Sequence, residues 1–270
     1  MTKNEINTIG IENLTVGYRT RDSKRQLASH MNASLQAAQL TFLLGVNGVG
    51  KSTLLRTLSG FLPALEGEVY VKGQPLSAYS KRQLATLISV VLTDRAMIHH
   101  FTVRSLVGMG RSPYTDFWGT LSKEDERAVE AAIRQVGIED LADRMIDTLS
   151  DGERQKVMIA KAIAQDTPIL FLDEPTAFLD YPSKVEIMLL LRRLCYERSM
   201  TIFLSTHDLE LALQIADNIW LMTDRGLKIG TPQGLSADGS LSDYFVRPGI
   251  EYNAQTMQFK VLKEELRIAR

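Results

Sequence analysis

Cysteine is almost missing from this 270-residue chain. Cys195 is the single one, so no internal disulfide can form, and a reducing compartment is the natural fit. It stands in an apolar helical run and is expected to fill the core rather than to act as a nucleophile. An excess of charge is missing too. Lys and Arg total 31 against 32 Asp and Glu, a formal net charge of −1, which argues against bulk electrostatic binding of nucleic acid. Long apolar runs are also absent. Ile187–Leu191 and Ile169–Leu172 are the longest, far too short to span a bilayer. Met1–Asn7 lacks the apolar stretch of a signal peptide. A soluble chain is expected, one that meets a membrane only as a peripheral guest. No internal repeat, low-complexity tract or clear linker appears, and this length can bury a large core within one elaborated domain.

The order of elements changes character along the chain. Ile9–Tyr18, Met31–Leu35, Leu40–Leu44, Gly67–Val71 and Ile88–Leu92 read as strands, with a polar turn at Thr20–Arg25. From about Thr102 to Gln165 the pattern is helical, with candidate segments at 102–109, 122–136 and 151–165. Ser122 followed three residues later by Asp125 is a weak capping-box start. Strand signals return at Pro168–Leu172 and Thr201–Leu204, separated by an amphipathic helix at Pro182–Tyr196. That spacing predicts βαβ units and a parallel sheet. Beyond Asn218 come short strand-like pieces, Gly and Pro turns and a last stretch, Val261–Ile268.

Two segments carry chemistry. Gly45-Val46-Asn47-Gly48-Val49-Gly50-Lys51-Ser52-Thr53 follows an apolar strand and opens a helix at Lys51–Leu58, the context that a phosphate-binding loop requires. Its glycines let backbone N–H groups turn inward around phosphate oxygens, and the helix N-terminus adds its positive end. Lys51 would neutralise β- and γ-phosphates, and the Ser52 hydroxyl would ligate Mg²⁺. The second segment, Ile169–Leu172, is wholly apolar and ends in Asp173-Glu174. Side chains alternate along a strand, so adjacent acids at its carboxyl end can serve different partners. Asp173 would hold Mg²⁺, and Glu174 would polarise an attacking water.

Leu149-Ser150-Asp151-Gly152-Glu153 lies between these segments and opens a helical run to Gln165. In this order, the three motifs resemble those of the ATP-binding cassette (ABC) ATPases. Tyr18 matches the aromatic that stacks on adenine, Ala177-Phe178-Leu179-Asp180 the D-loop, and Ser205-Thr206-His207-Asp208 the switch-histidine segment. The resemblance covers nearly the whole chain. It implies an α/β P-loop NTPase core with an N-terminal antiparallel β lobe and an inserted helical signature lobe, about residues 95–165, in a single domain over 1–270. It also implies two copies set head to tail, Ser150 and Gly152 of each reaching the γ-phosphate held by the other, with Asp180 at the seam. His207 would contact the γ-phosphate and hold the water in line with Glu174.

This sequence departs from the family pattern at two places. The signature has Asp151 where glycine is commonest and Glu153 where glutamine is commonest; Asp151 adds an acid near bound phosphate, which is unfavourable unless its side chain points away. Aligning Arg82–Leu92 with the family strand puts Thr93 where the Q-loop glutamine is expected. Thr93 has a shorter reach, and its hydroxyl could approach Mg²⁺ through a water.

Phe101–Tyr114 is similar to a segment of the importer branch that serves ferric siderophores, haem and cobalamin. That likeness implies a separate integral membrane permease dimer, an external substrate-binding protein as indirect partner, and a place on the cytoplasmic face of the cell membrane. Tyr114, Phe117 and Trp118 are expected either to dock the permease or to pack inside the helical lobe. His99 and His100 alone do not make a ligand set. The alternative is a soluble ATPase of iron–sulfur cluster assembly, which has similar size and a single cassette.

Overall fold

The computed structural model describes residues 7–19, 23–93, 100–223 and 226–262. An antiparallel lobe opens the chain. β1 (Asn7–Arg19) pairs with β2 (Lys24–Gln36), Ile9 standing opposite Leu35 and Tyr18 opposite Arg25. The expected strand Met31–Leu35 is therefore the end of a longer one. Of the expected turn over Thr20–Arg25, residues 20–22 lie outside the described residues, while Lys24 and Arg25 join the ladder opposite Arg19 and Tyr18. The chain then leaves this lobe through β3 (Leu40–Leu44) and α1 (Lys51–Leu58), and returns with β4 (Glu66–Val71) and β5 (Gln74–Pro75). The first sheet has the order β2-β1-β4-β5.

Next comes α2 (Lys81–Leu87), which the strand reading did not foresee. Its start is a capping box: the Ser80 hydroxyl accepts from the Gln83 N–H, while the Gln83 side chain accepts from the Ser80 N–H. β6 (Ile88–Val91) follows. After it, α3 (Val103–Gly108), α4 (Lys123–Val136) and α5 (Asp151–Ala164) pack on one another before the chain resumes its sheet at β7 (Ile169–Asp173). The weak capping signal at Ser122 is a real cap, since its hydroxyl accepts from the Asp125 N–H and Asp125 accepts from the Ser122 N–H. Arg111 and Asp125 form an ion pair of 2.8 Å inside this helical segment, both side chains buried.

α6 (Tyr181–Arg198), β8 (Thr201–Ser205), α7 (Leu209–Ile215), β9 (Asn218–Thr223) and β10 (Gly226–Gly230) complete the second sheet, of order β10-β9-β3-β8-β7-β6. Its pairings are parallel except between β9 and β10. Leu40, Phe42, Leu170, Leu172, Ile202, Leu204, Ile219 and Leu221 pack on one face. Leu43, Ile169, Phe171, Phe203, Trp220 and Met222 pack on the other. A sheet buried on both faces explains the unbroken apolar strands of the sequence. Cys195 is buried beside this core, where desolvation pushes its thiol pKa up to about 12, as suits a core residue. α8 (Pro232–Ala237), α9 (Ser240–Phe245), β11 (Ile250–Asn253) and β12 (Gln258–Val261) follow, the last two as an antiparallel hairpin. Of the expected stretch Val261–Ile268, residues 263–268 lie outside the described residues.

Candidate functional site

Parallel pairing sets the site. Asp173 stands opposite Ser205, and Ser205 opposite Leu43, so the carboxyl ends of β3, β7 and β8 lie side by side. Open α/β sheets bind ligands at this edge. The loop Gly45–Gly50 leaves β3 there and turns into α1. Gly50 caps the helix at φ +110°, a left-handed conformation that glycine adopts without a Cβ clash. Gly45 is required by crowding, because a Cβ would stand 2.8 Å from the Met222 carbonyl oxygen. Lys51 bends back over the loop. Its Nζ donates to the carbonyl oxygens of Gly45 at 2.8 Å and Val46 at 3.2 Å. Burial lowers the Lys51 pKa, and the charges of Glu174 and Asp173 pull it partly back.

The strand carrying the acids joins the loop directly. Asp173 Oδ1 accepts from the Ser52 hydroxyl at 2.9 Å and from the Ser205 hydroxyl at 2.7 Å. The Ser205 side chain also accepts from the Glu174 N–H at 3.0 Å. That contact helps to hold Glu174 at φ +49°, an uncommon conformation for a non-glycine residue. Glu174 Oε1 then lies 2.5 Å from His207 Nε2. The Thr93 hydroxyl donates to the main-chain oxygen of Asp173 at 2.6 Å, which puts Thr93 beside the acids. Tyr18 reaches the loop from β1, its hydroxyl 2.8 Å from Thr53 Oγ1, with its side 44% exposed.

Among the sequence-predicted residues, Tyr18, Gly45–Thr53, Thr93, Asp173, Glu174 and His207 are thus brought together. Ser150, Gly152 and Asp180 are not part of that group. Ser150 caps α5, whose main packing partners are α3, α4 and β6, whereas α1 packs on β1, β7 and β8. Glu153 accepts from both the N–H and the hydroxyl of Ser150, and those bonds lower its pKa. A Cβ on Gly152 would meet Ser183 at 3.5 Å, close to Asp180, which caps α6 through the Ser183 N–H. Asp151 is exposed in the first turn of α5. His99 lies outside the described residues, and among those described no three His, Cys, Asp or Glu groups cluster as a metal site.

Sequence reasoning gave Ser205 no role of its own, although its place at the end of β8 in register with Asp173 was the available signal. It also missed Tyr244, whose hydroxyl accepts from the Val46 N–H at 2.7 Å and donates to the Met222 carbonyl at 2.9 Å. No local motif marks that residue.

The arrangement combines a backbone cradle, a cation, a hydroxyl–carboxylate pair and a carboxylate–imidazole pair. Such a set can bind a polyphosphate and orient a water against it. A family model described as "ABC transporter" matches residues 28–177, more than half of the chain. The chain belongs to the ABC transporter family. Its ATP-binding members are ATPases that power transport. An uncharacterised ABC transporter ATP-binding protein, MJ0873 of Methanocaldococcus jannaschii, is 39% identical over 83% of this chain and 76% of its own length. The ferric enterobactin transport ATP-binding protein FepC of Escherichia coli K12 is 36% identical, covering 77% of this chain and 75% of its own. Among solved structures, a transporter described as of metal-chelate type, in an inward-facing conformation, superposes with a TM-score of 0.79 at 26% identity, over 96% of this chain and 99% of that one. Between α3 and α4 the aromatics divide: Arg111 stacks on Tyr114 at 4.0 Å, whereas Phe117 and Trp118 are 94% and 84% exposed. No described helix is long and apolar enough to cross a membrane.

Proposed function

We propose that this chain is the ATP-hydrolysing subunit of an importer for an iron–siderophore, haem or cobalamin, bound at the cytoplasmic face of the cell membrane to a separate permease dimer. We take residues 1–270 as one cassette domain with the helical lobe inserted. The single observation that carries the catalytic half is the contact chain Ser52–Asp173–Ser205–Glu174–His207, set beside a Lys51-bearing loop. Lys51 trades its loop carbonyls for the β- and γ-phosphates, Tyr18 stacks on adenine, and the N–H groups of residues 47–53 cradle the phosphate oxygens, the Val46 N–H being held by the Tyr244 hydroxyl. Glu174 takes the proton of the attacking water, while His207 holds that water and the γ-phosphate in line.

The Ser52 hydroxyl and Asp173 carboxylate are adjacent hard oxygen donors, and they fit Mg²⁺, which keeps most of its waters and asks for few protein ligands. Bound Mg²⁺ would neutralise charge on the β- and γ-oxygens. Thr93 would contribute through a water. A second copy, set head to tail as the family resemblance implies, would bring its Ser150 and Gly152 to the γ-phosphate, with Asp180 at the seam. Relatives named for ferric siderophore transport support the cargo class, and nothing in them supports iron–sulfur assembly. The exposed pair Phe117–Trp118 suits a permease contact.

Uptake of labelled ferric siderophore, haem and cobalamin by cells dependent on this chain tests the proposal, comparing wild type with Glu174→Gln. Loss of one uptake, with a polytopic permease co-purifying with the tagged chain, is expected. All three continuing at the wild-type rate would overturn the importer reading.

A further inference from the structure

A single peptide group at the start of the phosphate loop is held from both sides. The carbonyl of Gly45 and the N–H of Val46 belong to the same planar unit and point in opposite directions. The carbonyl accepts from Lys51 Nζ at 2.8 Å, and the N–H donates to the Tyr244 hydroxyl at 2.7 Å. Tyr244 completes its own bonding by donating to the Met222 carbonyl at 2.9 Å. That carbonyl lies one residue before the end of β9 and is the group that a Cβ on Gly45 would strike. One phenol therefore ties β9 to the loop and fixes how the Gly45–Val46 peptide is turned.

The ring that presents this hydroxyl is itself fixed. Tyr244 meets Phe245 edge to face at 4.8 Å, and Phe245 meets Phe259 of β12 at 5.9 Å. Phe245 lines a cavity with Gly45, Val46, Asn47 and His207. Phe259 lines a neighbouring one with Glu174 and His207. The C-terminal segment thus abuts both the phosphate loop and the switch histidine.

We infer that Tyr244 is a positioning residue for nucleotide binding: it clamps the Gly45–Val46 peptide so that the loop and Lys51 are set for phosphate before ATP arrives. The inference rests on the nucleotide site proposed above. Rotation of that peptide would redirect the loop that follows it and displace the N–H groups of residues 47–53 that cradle phosphate. The clamp acts on binding, since Tyr244 touches none of Glu174, Asp173 or Ser52 in the hydrogen-bond network of the acids. Its loss therefore shows in affinity and KM rather than in kcat.

The test uses the full-length chain and a non-hydrolysable ATP analogue. Tyr244→Phe keeps the ring and removes only the clamp. Tyr252→Phe is the control, because it removes a hydroxyl of the same C-terminal segment that bonds Ser236 at 2.8 Å, away from the loop. Expected for Tyr244→Phe is a Kd and a KM for ATP raised about threefold to tenfold, the scale of one hydrogen bond, with kcat at saturation retained. Tyr252→Phe should bind as wild type. Lys51→Ala separates the two levels of inference. If Lys51→Ala weakens binding and Tyr244→Phe does not, the clamp is wrong while the site stands. If Tyr244→Phe and Tyr252→Phe lose affinity and thermal stability alike, Tyr244 is merely structural and the inference fails. If Lys51→Ala binds as wild type, the nucleotide site itself is wrong and the inference falls with it.

Discussion

His207 Nε2 and Glu174 Oε1 lie 2.5 Å apart, although 33 positions separate the residues in the chain. β7 and β8 pair in parallel, and each residue sits just past the end of its strand. His207→Ala removes one side of the pair and leaves the phosphate loop alone. Hydrolysis should fall about 10²- to 10³-fold, with ATP binding kept. A matched pair of steady-state rate and equilibrium binding measurements checks this, and a comparable loss of affinity would mean that His207 acts on the loop.

Ser52 and Thr93 both contact Asp173, but by different atoms. Ser52 donates to the carboxylate, and Thr93 to the main-chain oxygen. Ser52→Ala should raise the Mg²⁺ concentration needed for half-maximal hydrolysis about tenfold or more, the scale of disturbed ligand sets. Thr93→Val should move it much less. A Mg²⁺ titration of both variants decides, and equal shifts would make Thr93 a direct ligand.

Arg111 and Asp125 are paired and buried in the helical segment, and Arg111 also donates to the Ala164 carbonyl. Arg111→Ala strands a buried carboxylate and should cost about 3 kcal/mol in chemical denaturation. Hydrogen bonds from Ser122 and then from Arg111 hold the Asp125 pKa down to about 2, below its ordinary 3.8. A depressed carboxylate stabilises the fold above its unfolded pKa and ceases to do so as protons fill it. The contribution of Asp125 should thus be complete above about pH 4 and disappear as pH falls through about 2. Asp125→Asn should flatten the stability profile in that window.

Much of this site is legible locally. The Gly45–Thr53 loop and the Asp173-Glu174 pair are written in consecutive residues, and their roles follow from short-range geometry. The continuous burial of β3, β7, β8 and β9 likewise follows from apolar runs bounded by turns. Long-range partners are harder to foresee. Tyr244 reaches Val46 across 198 positions, and nothing near it in the sequence differs from an ordinary buried aromatic. α2 was hidden because its seven residues run directly into the β-branched start of β6 at Ile88, and apolar residues in both periods overlap there. Lys24 and Arg25 stand in β2 because ladder bonds to Arg19 and Tyr18 outweigh their polar character.

The most direct test of the ATPase account is Mg²⁺-dependent ATP turnover by the wild-type chain and by Glu174→Gln, with ATP binding measured on both. The substitution keeps the size of the side chain and removes its basicity. The account predicts unimpaired binding, phosphate release slowed at least about 100-fold, and an ATP-bound dimer that accumulates. Continued rapid turnover by Glu174→Gln would contradict it, since the water would then be activated elsewhere.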